Sequence, residues 1–393
     1  MKVAIVHDQL REFGGAERVL VVLKKIFPEA DVFTSTYDND SLGPHANLIR
    51  TWQTRISWFG KIPILNRFYS PLRFLTPWIW ESFDFSLYDL VISSSGSWMC
   101  KGIKTRYPTI HIGYIHHPPR YLYGYETAIE WQKYLLIKIY GSIVNHFLRI
   151  WDFNSSQRAD YFIANSEETK KRIKKFYRRD ATVIYPPVII PKKIPNSPYR
   201  VNKFQIPNSY YVTVSRLARV KHVDILIHAA NKYKFNLKIV GTGRDEEYLK
   251  SIAGKTVEFL GNISDKELAK VYQHAKAFLF ASVDEEFGIV LVEAMGYGLP
   301  VIAYKSGGVS ETVKDGINGY LFNELTKDSL VEKVKKFEGL KKEQLIEMKK
   351  ESRKISGNFN EEKFKKRLLD FIHTVSHQLV KDQRLFLQEK LRR

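Results

Sequence analysis

The sequence predicts an α/β protein of two facing, doubly wound parallel-sheet domains, and three observations carry that expectation. Its 393 residues exceed what one core usually serves, because domains mostly run to about 100–200 residues. Short β-rich runs alternate with helical patterns in two consecutive series, the signature of parallel sheets covered by helices. Between the series, prolines at 186, 187, 191, 195 and 198 exclude helix and favour an extended connector.

In the first series, residues 3–6, 30–34, 90–93, 110–114 and 161–164 read as strands, with helices such as 17–26 and 167–176 between them. The second has strands at 210–215, 237–240, 257–260, 277–281 and 301–303, and helices including 223–230, 245–253, 265–274 and 290–297. Residues 315–322 read as a turn into one more strand, and from about Asn358 the chain is helical and basic. The expected division is a first domain over 1–190, a linker over 191–205, a second domain over 206–370, and a terminal helix over 371–393 packing back on the first domain. Two such sheets facing each other bring the carboxyl ends of both around one cleft, where ligands of these sheets bind.

Composition narrows the class. An apolar share of 44% with 13% aromatics suits packed cores rather than disorder. The four apolar residues opening the chain are too few for a signal peptide, whose apolar region takes about 7–15. No stretch reaches the roughly 18 apolar residues of a membrane span; the nearest, 134–151, is broken by Lys138, Asn145, His146 and Arg149. A single cysteine, Cys100, excludes an intramolecular disulfide and a cysteine zinc cluster, and reads as a small core residue. The 62 Lys and Arg against 42 Asp and Glu leave a net charge of +20, which attracts phosphate-rich partners: nucleotide sugars, anionic lipid or nucleic acid.

Four segments carry candidate chemistry. Gly14-Gly15 follows the first strand and opens a helix, so its amides can approach an anion, although a plain tight turn has the same sequence. Arg216 and Lys221 sit at a strand–loop–helix corner, one a planar fork and the other a compact point charge, a pair suited to a diphosphate. In Glu285-Glu286-Phe287-Gly288-Ile289…Glu293, the last carboxylate falls on the buried side of a helix, which is costly unless it is paired or bound to ligand hydroxyls. Glu286 reads as an acidic helix cap, and Gly307-Gly308 as a second anion cradle. Asp38-Asn39-Asp40 spells an Asp-x-Asp metal pattern but stands in a polar loop with no other ligand near it, so no metal is expected.

Taken together, Gly14-Gly15, Arg216 with Lys221, Glu285 with Glu293 seven residues between, and Gly307-Gly308 resemble the retaining nucleotide-sugar glycosyltransferases of family 4, with the GT-B fold of two facing Rossmann-like domains. The segment Tyr114-Ile-His116-His117-Pro118-Pro-Arg120-Tyr121 resembles one found in O-antigen-type mannosyltransferases, with His117 in place of a threonine. The resemblance implies that Arg216 and Lys221 bind the donor diphosphate, Glu293 the ribose, and Glu285 with the backbone of Phe287, Gly288 and Ile289 the donor sugar. Gly14 and Gly15 would meet the diphosphate from the first domain, and His116 would line the sugar or acceptor side. It implies no cofactor beyond the donor substrate, and a hexose, best mannose from GDP-mannose with a UDP-sugar as the alternative, moved to a glycan or lipid-linked glycan in cell-surface polysaccharide synthesis.

The positive charge is uneven. Residues 41–80 and 90–125 hold no acid, yet mix cations with aromatics. That composition suits the interface of an anionic membrane, with Trp52, Trp58, Arg67, Trp78, Trp80 and Arg120 as the expected docking and acceptor face. Cytoplasmic location on the inner face of a membrane is expected accordingly. A basic nucleic-acid-binding protein is the rival reading, but no nucleic-acid motif is present and no such partner is expected.

Overall fold

A computed structural model describes residues 1–128, 131–191 and 209–392, with the backbone alone for Pro44, Trp131 and residues 378–392. Of the expected linker, residues 192–205 lie outside the described residues.

The first domain holds seven strands: β1 (Val3–His7), β2 (Asp31–Thr34), β3 (Thr54–Ile56), β4 (Leu90–Ser95), β5 (Ile110–Ile115), β6 (Tyr161–Ala164) and β7 (Thr182–Val183). They pair in the order β3-β2-β1-β4-β5-β6-β7, all parallel. The second holds β8 (Tyr210–Val214), β9 (Leu237–Val240), β10 (Val257–Gly261), β11 (Ala275–Phe280), β12 (Val301–Tyr304) and β13 (Gly319–Phe322). Its order is β10-β9-β8-β11-β12-β13, again parallel throughout. Helices cover both sides of the central strands, so β1 and β4 are buried along their whole length; both start apolar and turn polar toward their carboxyl ends, at His7 and at Ser93–Ser95. The helix Gly15–Ile26 shows the complementary pattern, burying Val19, Leu20, Val22 and Leu23 and leaving Lys24 and Lys25 in its last turn.

The chain returns to the first domain before residue 371. Val188 N–H donates to Phe359 O at 2.8 Å, and the helix Glu361–Arg392 then places Phe364, Leu368, Ile372 and Val375 in the same core as Ile5, Leu20, Ile112 and Tyr114. Two of those four residues precede the expected boundary, because the apolar stripe of the helix starts at its first turn. Trp80 departs from its expected place on the surface. It is fully buried, its indole N–H donating to Trp98 O, because the helix Thr76–Glu81 turns residues two apart to opposite sides. Trp78 and Trp58 are exposed, as is Arg67, while Trp52 is half-buried against the first-domain core.

Candidate active site

Strand order reverses at β1/β4 in the first sheet and at β8/β11 in the second, so the crevice of each lies outside the carboxyl ends of those strands. Apolar β1 ends in His7 and is followed by Asp8. His7 Nε2 lies 3.2 Å from Glu17 Oε1, and its Nδ1 lies 3.0 Å from Ser94 Oγ, which is 2.8 Å from His116 Nε2. Glu17 Oε2 accepts from Gly14 N–H at 2.7 Å, so that amide is already engaged within its own helix turn. The result is a buried Glu17–His7–Ser94–His116 chain reaching from β1 across β4 to the end of β5. Burial, with His7 and His117 adding to it, holds the His116 imidazole well below its usual pKa and therefore neutral.

Next to His7, Asp8 accepts from the backbone N–H groups of Gly96, Trp98 and Cys100, each at 2.8 Å. This one carboxylate shapes the loop after β4, whose Met99 lies in the left-handed region. Asp8→Ala strands three buried donors at about 1–3 kcal/mol each; the urea midpoint should fall accordingly, and Asp8→Asn, which keeps one acceptor oxygen, should lose less.

On the second domain, β8 leads through Arg216 to the short turn Arg219–Lys221 and the helix Val223–Tyr233. Lys221 Nζ lies 2.7 Å from Glu285 Oε2, which also accepts from Ser282 Oγ at 2.8 Å. Lys221 and Glu285, 64 positions apart, therefore act as one charge-compensated unit. Arg216 reaches across the cleft to Glu12. Glu293 is buried in the helix Ile289–Gly296; its Oε1 stands 3.6 Å from Arg18 Nη1, and burial raises its pKa against the pull of that guanidinium. The domains meet closely here: a Cβ built on Gly15 would lie 3.0 Å from Ile289 Cδ1. The Phe287 ring packs against Tyr185 and Phe359, which leaves only its backbone to face a ligand. Gly288 supplies the left-handed turn, φ +80°, that starts the helix.

Three expectations need correcting. Arg120 is not on a membrane face: its guanidinium grips Glu286 at 2.8 and 2.9 Å and Asp284 O at 2.6 Å, joining the domains. Glu286 is accordingly no helix cap. Burial opposes its charge, but Arg120, His117 and Arg172 hold its carboxyl well below the usual range, Arg172 Nη1 lying 3.1 Å away. Gly307-Gly308 is not an anion cradle either. Cβ atoms there would stand 2.1 Å from the carbonyl oxygens of Glu285 and Glu286, so these glycines let the β12 loop pack on the acidic loop. Asp38, of the Asp-x-Asp pattern, accepts from Ser41 Oγ at 2.8 Å and caps the turn that follows. Among the described residues, no group of three or more His, Cys, Asp and Glu is placed to hold a metal.

Comparison with known proteins agrees with this architecture. The family described as Glycosyltransferase Family 4 matches residues 13–192, and Glycosyl transferases group 1 matches residues 200–355. The two follow one another along the chain and divide where its two sheets divide. The chain has the GT-B fold, and each of its two domains matches a glycosyltransferase family. Among solved structures, HepE from Anabaena in complex with UDP superposes with a TM-score of 0.67 at 19% identity, covering 95% of this chain and 100% of that one. Sucrose-phosphate synthase from Thermosynechococcus elongatus superposes with a TM-score of 0.72 at 19% identity, over 96% and 100%. In sequence, the UDP-N-acetylglucosamine–peptide N-acetylglucosaminyltransferase GtfA subunit of Streptococcus pneumoniae is 26% identical over 253 residues, 61% of this chain and 47% of that protein. The chain spans about half the length of the curated relatives it matches.

Within this GT-B frame, Gly15, His116, Arg216, Lys221, Glu285, Gly288 and Ile289 all lie at carboxyl ends of strands or on the helix starts beside them, and Glu293 lies one turn into the helix Ile289–Gly296. Sequence reasoning passed over His7, Asp8, Glu17, Ser94, Glu12 and Arg18. Two polar residues directly after an apolar run were the available signal for His7 and Asp8; nothing local marked the others. The neutral, buried histidines also set a pH dependence. His111, 2.8 Å from Ser93 Oγ, has its pKa pushed down to about 3, by burial first and then by Lys101 and Arg179. An imidazole in the unfolded chain takes up its proton near pH 6.5, so stability is full above that pH and declines as the pH falls toward 3. Urea midpoints should already drop between pH 6.5 and about 5, above the carboxylate range; a flat profile would contradict the neutral assignment of His111 and His116.

Proposed function

We propose that this chain is a retaining hexosyltransferase that moves a sugar from a nucleotide-sugar donor to a glycan or lipid-linked glycan acceptor. The observation that carries the reading is the Lys221–Glu285 unit at the carboxyl edge of the second sheet, together with Arg216 and Glu293 of the same domain, each held by a first-domain partner, Glu12 and Arg18. In the proposed complex, Arg216 and Lys221 take the donor diphosphate, displacing Glu12 and loosening Glu285. Glu293 accepts hydrogen bonds from the ribose. Glu285 and the Phe287–Ile289 backbone face the sugar, Gly15 closes on the diphosphate, and neutral His116 lines the sugar or acceptor side.

Transfer with retention then follows a front-face course. The bond from the anomeric carbon to the diphosphate oxygen breaks, and the acceptor oxygen bonds to that carbon on the same face. The acceptor proton passes to the departing phosphate oxygen, while Arg216 and Lys221 stabilise the charge developing there. No metal or protein base enters this scheme.

UDP-sugars are the donors to test first, since HepE was solved with UDP and GtfA is named for UDP-N-acetylglucosamine. GDP-mannose stands second, supported by the His116–Tyr121 segment alone. Purified protein given UDP-glucose, UDP-N-acetylglucosamine or GDP-mannose should release the matching nucleoside diphosphate, faster with a glycan acceptor. Salt-sensitive oligonucleotide binding with no turnover of any donor would instead favour the nucleic-acid reading.

A further inference from the structure

The helix Leu135–Ser156 buries only its second half, through Leu148, Asp152, Ser155 and Ser156. In its first half Leu135, Leu136, Ile137, Ile139, Tyr140 and Ile143 all face solvent, Leu136 at 81% exposure. Phe147 and Ile150 extend the exposed row. An apolar helix bare on so much of its circumference is ordinarily covered by something. The segment Trp58–Trp78 continues this surface: Ile64, Phe68 and Trp78 are exposed, Trp78 at 62%, and Tyr140 hydroxyl donates to Pro71 O where the two stretches meet. Through Leu148 the helix packs on Leu122, at the foot of the loop that carries His116, so the face adjoins the cleft.

Charge identifies what covers it. In residues 41–80 and 131–151 every Asp, Glu, Lys or Arg is a cation, among them the exposed Lys61, Arg67, Lys138 and Arg149. A second copy docked here would set these cations against one another, and lysine is depleted from protein interfaces. Apolar side chains entering the headgroup boundary with cations at the phosphates describe an anionic bilayer surface. Among the described residues, no helix is long and apolar enough to cross a membrane, so contact of this kind lies on the surface.

We infer that the Leu135–Ile150 helix face and the Trp58–Trp78 segment together form the docking surface by which this protein sits on an anionic bilayer, with the cleft turned toward acceptors held there. This surface differs from the one expected from sequence, since it loses Trp52, Trp80 and Arg120 and gains the helix. The inference rests on the surface and not on the proposed donor chemistry.

The test is flotation at physiological salt with phosphatidylcholine vesicles, with and without phosphatidylglycerol as a third of the lipid. Wild-type protein should float with the anionic vesicles and much less with the neutral ones. The double variant Leu136→Glu/Ile143→Glu, which keeps its unfolding midpoint because both residues are exposed, should lose the vesicle-bound fraction at least about tenfold. Tyr248→Glu, an exposed residue of the second domain, should float like wild type. Absence of wild-type flotation with anionic vesicles would overturn the inference, as would a double variant that floats unchanged. A wild-type dimer that the double variant turns into a non-floating monomer would assign the face to a second copy and overturn it too. Donor turnover, measured separately without vesicles, fails or succeeds independently of all these outcomes.

Discussion

Lys221→Ala should lower the turnover of sugar transfer by about 10²–10³-fold, equivalent to about 2.7–4 kcal/mol of lost transition-state stabilisation. The ammonium is a compact charge, held 2.7 Å from Glu285 and 3.4 Å from Ser282; in the proposed complex it meets a diphosphate that gains charge as the bond to the anomeric carbon breaks. That gain is larger in the transition state than in the bound donor, so kcat should carry most of the loss and the donor KM little. Stability should fall by less than at a fully buried pair. Lys221 and Glu285 keep some contact with solvent, and Ser282 remains to hold Glu285. Steady-state kinetics beside urea denaturation checks both halves; near-normal turnover would refute the assignment.

A larger effect on stability is expected at a site with no part in the chemistry. Lys101 and Asp152 are buried completely and lie 2.6 Å apart. Lys101 also donates to Asp152 O at 3.0 Å and to Ser155 Oγ at 3.4 Å, and stands 4.6 Å from the centre of the Tyr177 ring. Asp152 in turn accepts from Tyr123 hydroxyl at 2.6 Å. Two ions can be kept from water only because their bonds are filled in this way. Lys101→Met leaves the carboxylate without its cation and should cost about 3–5 kcal/mol, whereas Lys101→Met with Asp152→Leu should recover much of that. Urea midpoints of the single and double variants decide it; a single variant as stable as wild type would contradict the pairing. Because Asp152 anchors the buried half of the Leu135–Ser156 helix, the same pair fixes the base from which its bare half projects.

The sheets were legible because parallel strands covered on both faces are continuous apolar runs punctuated by helices. β3 and β7, of three and two residues, carry too little pattern to be seen. Donor-side candidates were legible because they sit at strand–helix corners, where side-chain type alone suggests chemistry. The domain-joining contacts were not. Glu285 and Glu286 are chemically alike neighbours, yet one meets Lys221 and the other Arg120, a choice made by a backbone with φ +53° at Asp284 and φ +80° at Gly288. Partners 166 positions apart, as Arg120 and Glu286 are, leave no local trace. Trp78 and Trp80 could have been separated, since residues two apart on a helix face opposite ways. The bare helix was read as an interrupted apolar run, because Lys138 and Arg149 look like breaks until they are seen as cations rimming an exposed face.

Calorimetric titration of UDP and GDP into wild-type protein and Glu293→Ala tests the central claim most directly, that the cleft between the two sheets is a nucleotide-sugar site. One nucleotide should bind the wild type, and its affinity should fall at least about tenfold in Glu293→Ala, the effect of losing hydrogen bonds to a charged group. Failure of both nucleotides to bind, or equal binding by the variant, would contradict the account.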